Sequence, residues 1–301
     1  MQITIAQRLR PFSHRPGTVC IVPFTFWQTQ VFPTLLKFHH LVTGEKKEER
    51  LDWKGPVLDF TVELDLEKGV VWVYGHTEEG YRRHAIELPR EDIPQPLERL
   101  SLGMHKALDW ELVCRRRDLR EIFPLWLRLG QMVPQAQGTF HLFKSYDKLE
   151  VVKAYTKFFM TGFHGLLMPR LEDTDHLGII PEGKVSGSPL ALLTDGANHI
   201  RALFFDDWSF LPCLPPEFHA GRFVHFRTKE GDTIDFEWSK KLLRRVVIHP
   251  AISREIRPSF QKSLHSYRLR SSLKEKGIRK KVEESLDLQT GQPLYLDRFE
   301  K

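Results

Sequence analysis

Between Ile3 and Leu88 short apolar and polar runs alternate and are broken by turn residues, the pattern of half-buried strands. The runs cover residues 18–22, 28–32, 57–64, 70–74 and 81–88, separated by Arg15-Pro16-Gly17, Thr43-Gly44-Glu45, Glu67-Lys68-Gly69 and Glu79-Gly80. The clearest hairpin joins Phe60-Thr61-Val62-Glu63-Leu64-Asp65 to Val70-Val71-Trp72-Val73-Tyr74 through Leu66-Glu67-Lys68-Gly69. Lys46-Lys47-Glu48-Glu49-Arg50 has no apolar position and reads as an exposed loop or ribbon tip.

Pro89, Pro94 and Pro96 end that pattern, and the period becomes helical. Leu108, Leu112, Leu119, Ile122, Phe123, Trp126 and Leu129 recur at three- and four-residue steps. Asp118 followed by Glu121 offers a capping box, and Pro124 is expected to kink or split the helix that follows. Another helix is predicted over residues 149–168, with Val152, Tyr155, Phe158, Phe159, Phe163, Leu166 and Leu167 on a wide apolar face. Gly162 and Gly165 would let it pack closely. A further helix is predicted over residues 196–205, so the middle of the chain holds three to five helices.

Alternation returns after Asp206. Pro212, Pro215 and Pro216 make a rigid crossing, since none can donate a ladder hydrogen bond. In residues 223–228, Phe223, His225 and Arg227 oppose Val224 and Phe226; in 233–238, Ile234, Phe236 and Trp238 oppose Asp235 and Glu237. Lys229-Glu230-Gly231-Asp232 supplies the turn, and Leu242, Val246 and Ile248 continue into another strand. The order Leu211-Pro212-Cys213-Leu214-Pro215, Phe218, Gly221, Phe226-Arg227, Gly231, Ile234-Asp235-Phe236-Glu237-Trp238 resembles the C-terminal β-sandwich module of six-hairpin glycoside hydrolases, above all the family-95-type α-L-fucosidases. Phe218 stands where that family usually has tryptophan.

The fold class expected is mixed α+β. It comprises an N-terminal antiparallel β-sandwich-like region (1–100), a short helical middle (101–205), a C-terminal antiparallel β-sandwich-like region (206–270) and a charged tail (271–301). A complete six-hairpin barrel has twelve helices, which cannot fit between two β regions here. The resemblance therefore implies either a reduced relative or a family sharing only the β module.

The 301 residues, 41% hydrophobic, suffice for one large core or two modest ones. No run approaches the roughly 20 apolar residues of a membrane span, and Met1-Gln2-Ile3-Thr4-Ile5 lacks the basic-then-apolar order of a signal peptide, so a cytoplasmic location is expected. Cys20, Cys114 and Cys213 are far apart and read as buried free thiols. The formal charge of +6 is concentrated in Arg115-Arg116-Arg117 with Arg120 and in the stretch from Arg268 to Lys281. Neither cluster is interleaved with stacking aromatics, which favours solvated faces over a nucleic-acid contact.

Glycosidic hydrolysis ordinarily needs two carboxyl groups flanking the bond. The densest polar loop is Pro169-Arg170-Leu171-Glu172-Asp173-Thr174-Asp175-His176, and Asp195-Gly196-Ala197-Asn198-His199 follows. On the fucosidase-like resemblance, Asp195-Gly196 matches an Asp-Gly-Asn run whose aspartate assists the water-activating step, with the asparagine displaced to Asn198. The candidates are Glu172 or Asp173 as proton donor and Asp195 as water-orienting base, with Arg170, Asp175, His176 and Asn198 binding an oligosaccharide. The structural alternatives are a helix-ending loop with Arg170 paired to an acid, and Thr194 or Asp195 capping a helix. The family's catalytic glutamate motif has no counterpart. His39, His40, His76, His84, His105 and His141 show no metal-ligand spacing, Gly183-Lys184-Val185-Ser186-Gly187-Ser188 lacks the phosphate-loop order, and no metal or cofactor is expected. Trp27, Trp53, Trp72, Trp110, Trp126, Trp208 and Trp238 have the chemistry to stack on sugar rings but are expected mostly in the core. A carbohydrate-associated protein with reduced or lost hydrolase activity, a non-catalytic glycan- or protein-binding module and a basic nucleic-acid-binding protein all stand as readings.

Overall fold

The computed structural model describes residues 2–105, 107–136, 152–153, 155–156, 163–170 and 187–301. The first strands are β1 (Phe12–Ser13), β2 (Thr18–Ile21), β3 (Trp27–Val31), β4 (Leu35–His40), β5 (Lys46–Arg50), β6 (Leu58–Asp65), β7 (Val70–Thr77) and β8 (Gly80–Ile86). They make two antiparallel sheets, β1-β6-β7-β8 and β2-β3-β4-β5. The expected β6–β7 hairpin is present. Its turn is held by the Asp65 carboxylate, which accepts from the amides of Glu67 (3.0 Å) and Lys68 (3.1 Å) before Gly69 turns the chain at φ 66°. Residues 46–50 are a fully exposed strand rather than a loop, because β4 pairs with every one of them. Charged side chains on such an edge discourage pairing with another chain.

Next come β9 (Arg99–Ser101), α1 (Trp110–Arg116) and α2 (Leu119–Gly130). Asp118 caps α2 as expected, accepting from the Arg120 amide at 3.0 Å. Glu121 does not complete the box: it is buried, and Arg116 takes both carboxylate oxygens at 2.8 and 2.9 Å. Pro124 leaves α2 unbroken over its 12 residues. The helix predicted over 149–168 is overturned at its C-terminal end. Val152, Lys153, Tyr155 and Thr156 are helical, but β10 (Phe163–Gly165) and β11 (Met168–Pro169) form a ribbon turning at Leu167, φ 50°. Gly165 lies so close to the Val19 backbone that a Cβ would clash, and Leu166 bridges to Cys20 in β2.

The last helix, α3 (Pro189–Phe204), begins earlier than predicted, because Ser188 caps it and Pro189 takes its first position. Thr194 and Asp195 therefore lie inside it and not at its start. α3 packs on α2 through two glycines: a Cβ on Gly130 would strike Leu193 and Ala197, and one on Gly196 would strike Trp126. The Trp126 Nε1–H donates to the Leu193 carbonyl at 3.1 Å.

Beyond α3 lie β12 (Phe205–Asp206), β13 (Ser209–Phe210), β14 (Gly221–Arg227), β15 (Thr233–Ser239), β16 (Leu242–His249), β17 (Arg254–Ile256), β18 (Ser266–Arg270), β19 (Ile278–Lys281), β20 (Leu286–Leu288) and β21 (Leu294–Glu300). An antiparallel sheet runs β19-β18-β21-β16-β15-β14-β9. Residues 271–301 are thus not a tail, since β21 lies inside the sheet between β16 and β18. Strict alternation in 223–228 is also corrected. A bulge between Phe223 and Phe226 puts both rings in the core, 5.1 Å apart, and His225 adopts φ 56° with its amide donating to Asp235 at 2.7 Å. One buried row crosses this sheet, Leu100–Phe223–Phe236–Val246–Leu296–Leu269, with Leu269 only partly buried. It belongs to a single apolar core shared with both N-terminal sheets and the helices. The architecture is therefore β-rich α+β, with three helices and several antiparallel sheets among the described residues.

Candidate functional site

Glu172, Asp173, Asp175 and His176 lie outside the described residues. Arg170 follows β11 and is partly buried, Asp195 is partly buried within α3, and Asn198 is exposed one turn further on. Gly196, the second residue of the resembled run, serves packing against Trp126. Asn198 lines a cleft, of about 170 Å³, between the end of α3 and the turns at Asp206–Trp208 and Thr228–Glu230. That is below the roughly 300–1,000 Å³ of ligand pockets. Its polar wall is also engaged: Arg201 binds both Glu98 oxygens at 2.8 Å, and its guanidinium lies over the Phe226 ring at 4.3 Å.

A larger constellation forms on the outer face of the first sheet. Side chains alternate along β7, so Val71 and Val73 enter the core while Trp72, Tyr74 and His76 face the other way. Register extends this outward set across three strands. Thr61, Tyr74 and Arg83 form one row; Leu58, His76 and Tyr81 form the next. A bulge in β6, with Asp59 at φ 52°, brings Leu58 into register opposite His76, and Gly75 opposite it has no side chain to clash with Val57. Leu58 is 64% exposed and Tyr81 56% exposed. Tyr81 lies 6.2 Å from Tyr74 and 5.5 Å from His76, ring centre to ring centre. The exposed Arg83 guanidinium covers Trp72 at 3.8 Å.

Polar groups frame these rings. His76 approaches Asp59 at 3.6 Å, and the Glu63 carboxyl lies near enough to Tyr74 for the two to interact electrostatically. Burial raises the Glu63 carboxyl above its ordinary range, opposed by Arg10 and Arg83. Burial, reinforced by Glu63, raises Tyr74. The result is a surface of half-exposed aromatic faces bordered by a carboxylate, a guanidinium and an imidazole. Trp72, expected with the other tryptophans mostly in the core, is only partly buried, and the alternation Val71-Trp72-Val73-Tyr74 is the signal that marks its position.

Elsewhere, no group of three or more metal-ligating side chains occurs among the described residues. Cys20, Cys114 and Cys213 are free thiols, Cys20 buried and the other two partly so; burial pushes Cys20 up to about 12 and, with Glu111, Cys114 to about 11. No described helix is long and apolar enough to cross a membrane. No protein-family model matches the chain, and no curated protein matches it at a significant level.

Proposed function

We propose that this chain is a carbohydrate-associated protein of the six-hairpin glycoside hydrolase lineage, its β regions acting as sandwich-like modules around a shortened helical part, and that it binds glycan without cleaving it. The observation that carries this reading is the outward aromatic row on β7 and β8, Tyr74, His76 and Tyr81 beside the Arg83–Trp72 stack. A pyranose has an apolar C–H face and a rim of hydroxyls. Aromatic rings with bordering acceptors and donors complement both. Binding rather than hydrolysis is supported by the position of Asp195 inside α3 and not in the aromatic row, and by the lack of a counterpart to the family's glutamate motif.

The test is calorimetric titration of neutral oligosaccharides with parallel assay for released sugar. Binding without turnover is expected, with affinity weakened about 10-fold or more in Tyr81→Ala and Tyr74→Ala, a loss of about 1.4 kcal/mol each. Unchanged affinity in both variants would overturn the proposed surface. Turnover abolished by Asp195→Asn would restore the hydrolase reading.

A further inference from the structure

The basic clusters conspicuous in the sequence are largely neutralised by folding. Arg268 and Arg270 bind Asp297 at 2.7 and 2.5 Å, Arg279 pairs with Glu300, and Arg116 and Arg120 pair with Glu121 and Asp118. Uncompensated positive charge gathers elsewhere, in an open groove of about 530 Å³ between the end of β9, the start of α2 and the ends of β14 and β15. Arg222, Arg244, His219, Ser101 and Ser239 line it, together with Arg120, which is paired with Asp118, and the carboxylate Glu237.

Charge there exceeds its counter-charge. Glu237 is already clasped by Arg245, with one bond at 2.6 Å, yet it is also the nearest carboxylate to Arg222 at 3.5 Å. Arg244 donates to Ser239 Oγ at 3.0 Å, and no described carboxylate lies within ion-pair distance of it. Beyond Ser239, exposed Lys240 and Lys241 form the tight β15–β16 turn, with φ values of 51° and 64°. Asparagine and glycine favour those backbone positions, and lysine does not. The Lys241 amide donates to the His219 carbonyl at 2.8 Å, which ties this turn to the groove wall. The floor is closed by Trp238, which approaches so near that a Cβ on Gly221 would clash with its ring. Its burial leaves no aromatic face on which a nucleic-acid base could stack.

We propose that this groove binds a small ligand bearing tetrahedral oxyanions, phosphate or sulfate esters, held by Arg222 and Arg244 with Lys240 and Lys241 at its end. Guanidinium forks match such oxyanions geometrically, and the lysines add point charge.

The test titrates sodium tripolyphosphate and inorganic sulfate into the full chain, followed by calorimetry and thermal shift. Wild type should bind tripolyphosphate, and Arg222→Gln/Arg244→Gln should weaken it about 10-fold or more, each lost charge-assisted contact contributing. Arg279→Gln, on the far edge of the sheet, should bind as wild type does. Lys240→Asn/Lys241→Gly separates binding from folding: it suits the turn and should raise Tm while weakening the anion. Raised Tm with undiminished affinity would overturn the assignment, as would equal binding by the double arginine variant. In a parallel titration with inorganic phosphate, tighter binding of sulfate than of phosphate would favour a sulfate ester over a phosphate ester. Binding of single-stranded RNA alone, with no response to tripolyphosphate, would overturn the small-ligand proposal.

Discussion

The outer faces of the first sheet and of the large sheet obey the same pleat and carry opposite chemistry. On the first, registered rows bring Leu58, His76 and Tyr81, and Thr61, Tyr74 and Arg83, side by side. On the large sheet, one row runs Arg222–Glu237–Arg245–Asp297–Arg268 across five strands, alternating in sign at every step. Cross-strand pairs of opposite charge attract, and here each carboxylate is shared between arginines. The ionic face thus spends most of its charge on its own strands, and Arg222, at the end of the row, holds the loosest of these contacts. Rings need no such partner, so the aromatic face keeps its surface available. Availability, more than residue type, distinguishes a binding surface from a structural one.

The sharpest way to break this contrast is to remove the centre of the ladder. Asp297→Ala leaves Arg245, Arg268 and Arg270 facing one another over a largely buried site, and stability to urea should fall by about 3–5 kcal/mol. A loss under about 1 kcal/mol would place the ladder with ordinary surface ion pairs.

Acid should act on the same groups. Burial works to raise Asp297 and Asp232, but Arg268 with Arg270, and Arg254, outweigh it and hold both carboxyls below their usual range. A carboxyl whose folded value lies below its unfolded value near about 3.9 contributes fully above that pH and loses the contribution as pH falls through the folded value. Denaturation midpoints should therefore drop steeply below about pH 4 and change little from these groups between about 5 and 7. A midpoint that stayed level to pH 2 would show that the pairs add nothing.

The bulges offer a smaller test. His225 and Asp59 both take left-handed backbone, but only the His225 amide is held by a neighbouring carboxylate, Asp235. Asp235→Ala should cost about 1–3 kcal/mol by leaving that amide unmet. On the aromatic face Glu63 has the opposite sign to Asp297, since burial raises its folded value. Its favourable contribution is present at acid pH and lost as pH rises through that value. Glu63→Gln should consequently leave the midpoint at pH 7 unchanged or higher, whereas Asp297→Asn should lower it. Smallest of all, Tyr81→Ala should alter stability by no more than about 0.5 kcal/mol, so that lost oligosaccharide binding would report on the surface and not on folding.

Elements with their own periodicity were legible. Leu64, Val62, Val71 and Val73 alternate strongly enough to specify the β6–β7 hairpin and its faces, and Asp118 marked the start of α2. Ser188-Pro189, which starts α3, carries an equally local capping signal, and Thr194-Asp195 offers a competing one six residues later that the packed helix does not use as its start. Residues 46–50 lack any apolar alternation, and only the proximity of β4 makes them a strand. Phe163, Leu166 and Leu167 fit a helix or a ribbon equally well, and contact with β2 decides for the ribbon. Of the residues expected to bind an oligosaccharide, Asn198 lines a shallow cleft, and no motif marks Tyr74 or Tyr81.

Local pattern, then, determined which segments extend or coil and which side of each is apolar, because those properties depend on neighbours one to four residues away. Strand order, the insertion of β21 between β16 and β18, the pairing of arginines with Asp297 and Glu237, and the assembly of Tyr74, His76 and Tyr81 into one surface were decided only by tertiary structure. Each depends on contacts between residues far apart in the chain, whose register is set by burial of the shared core.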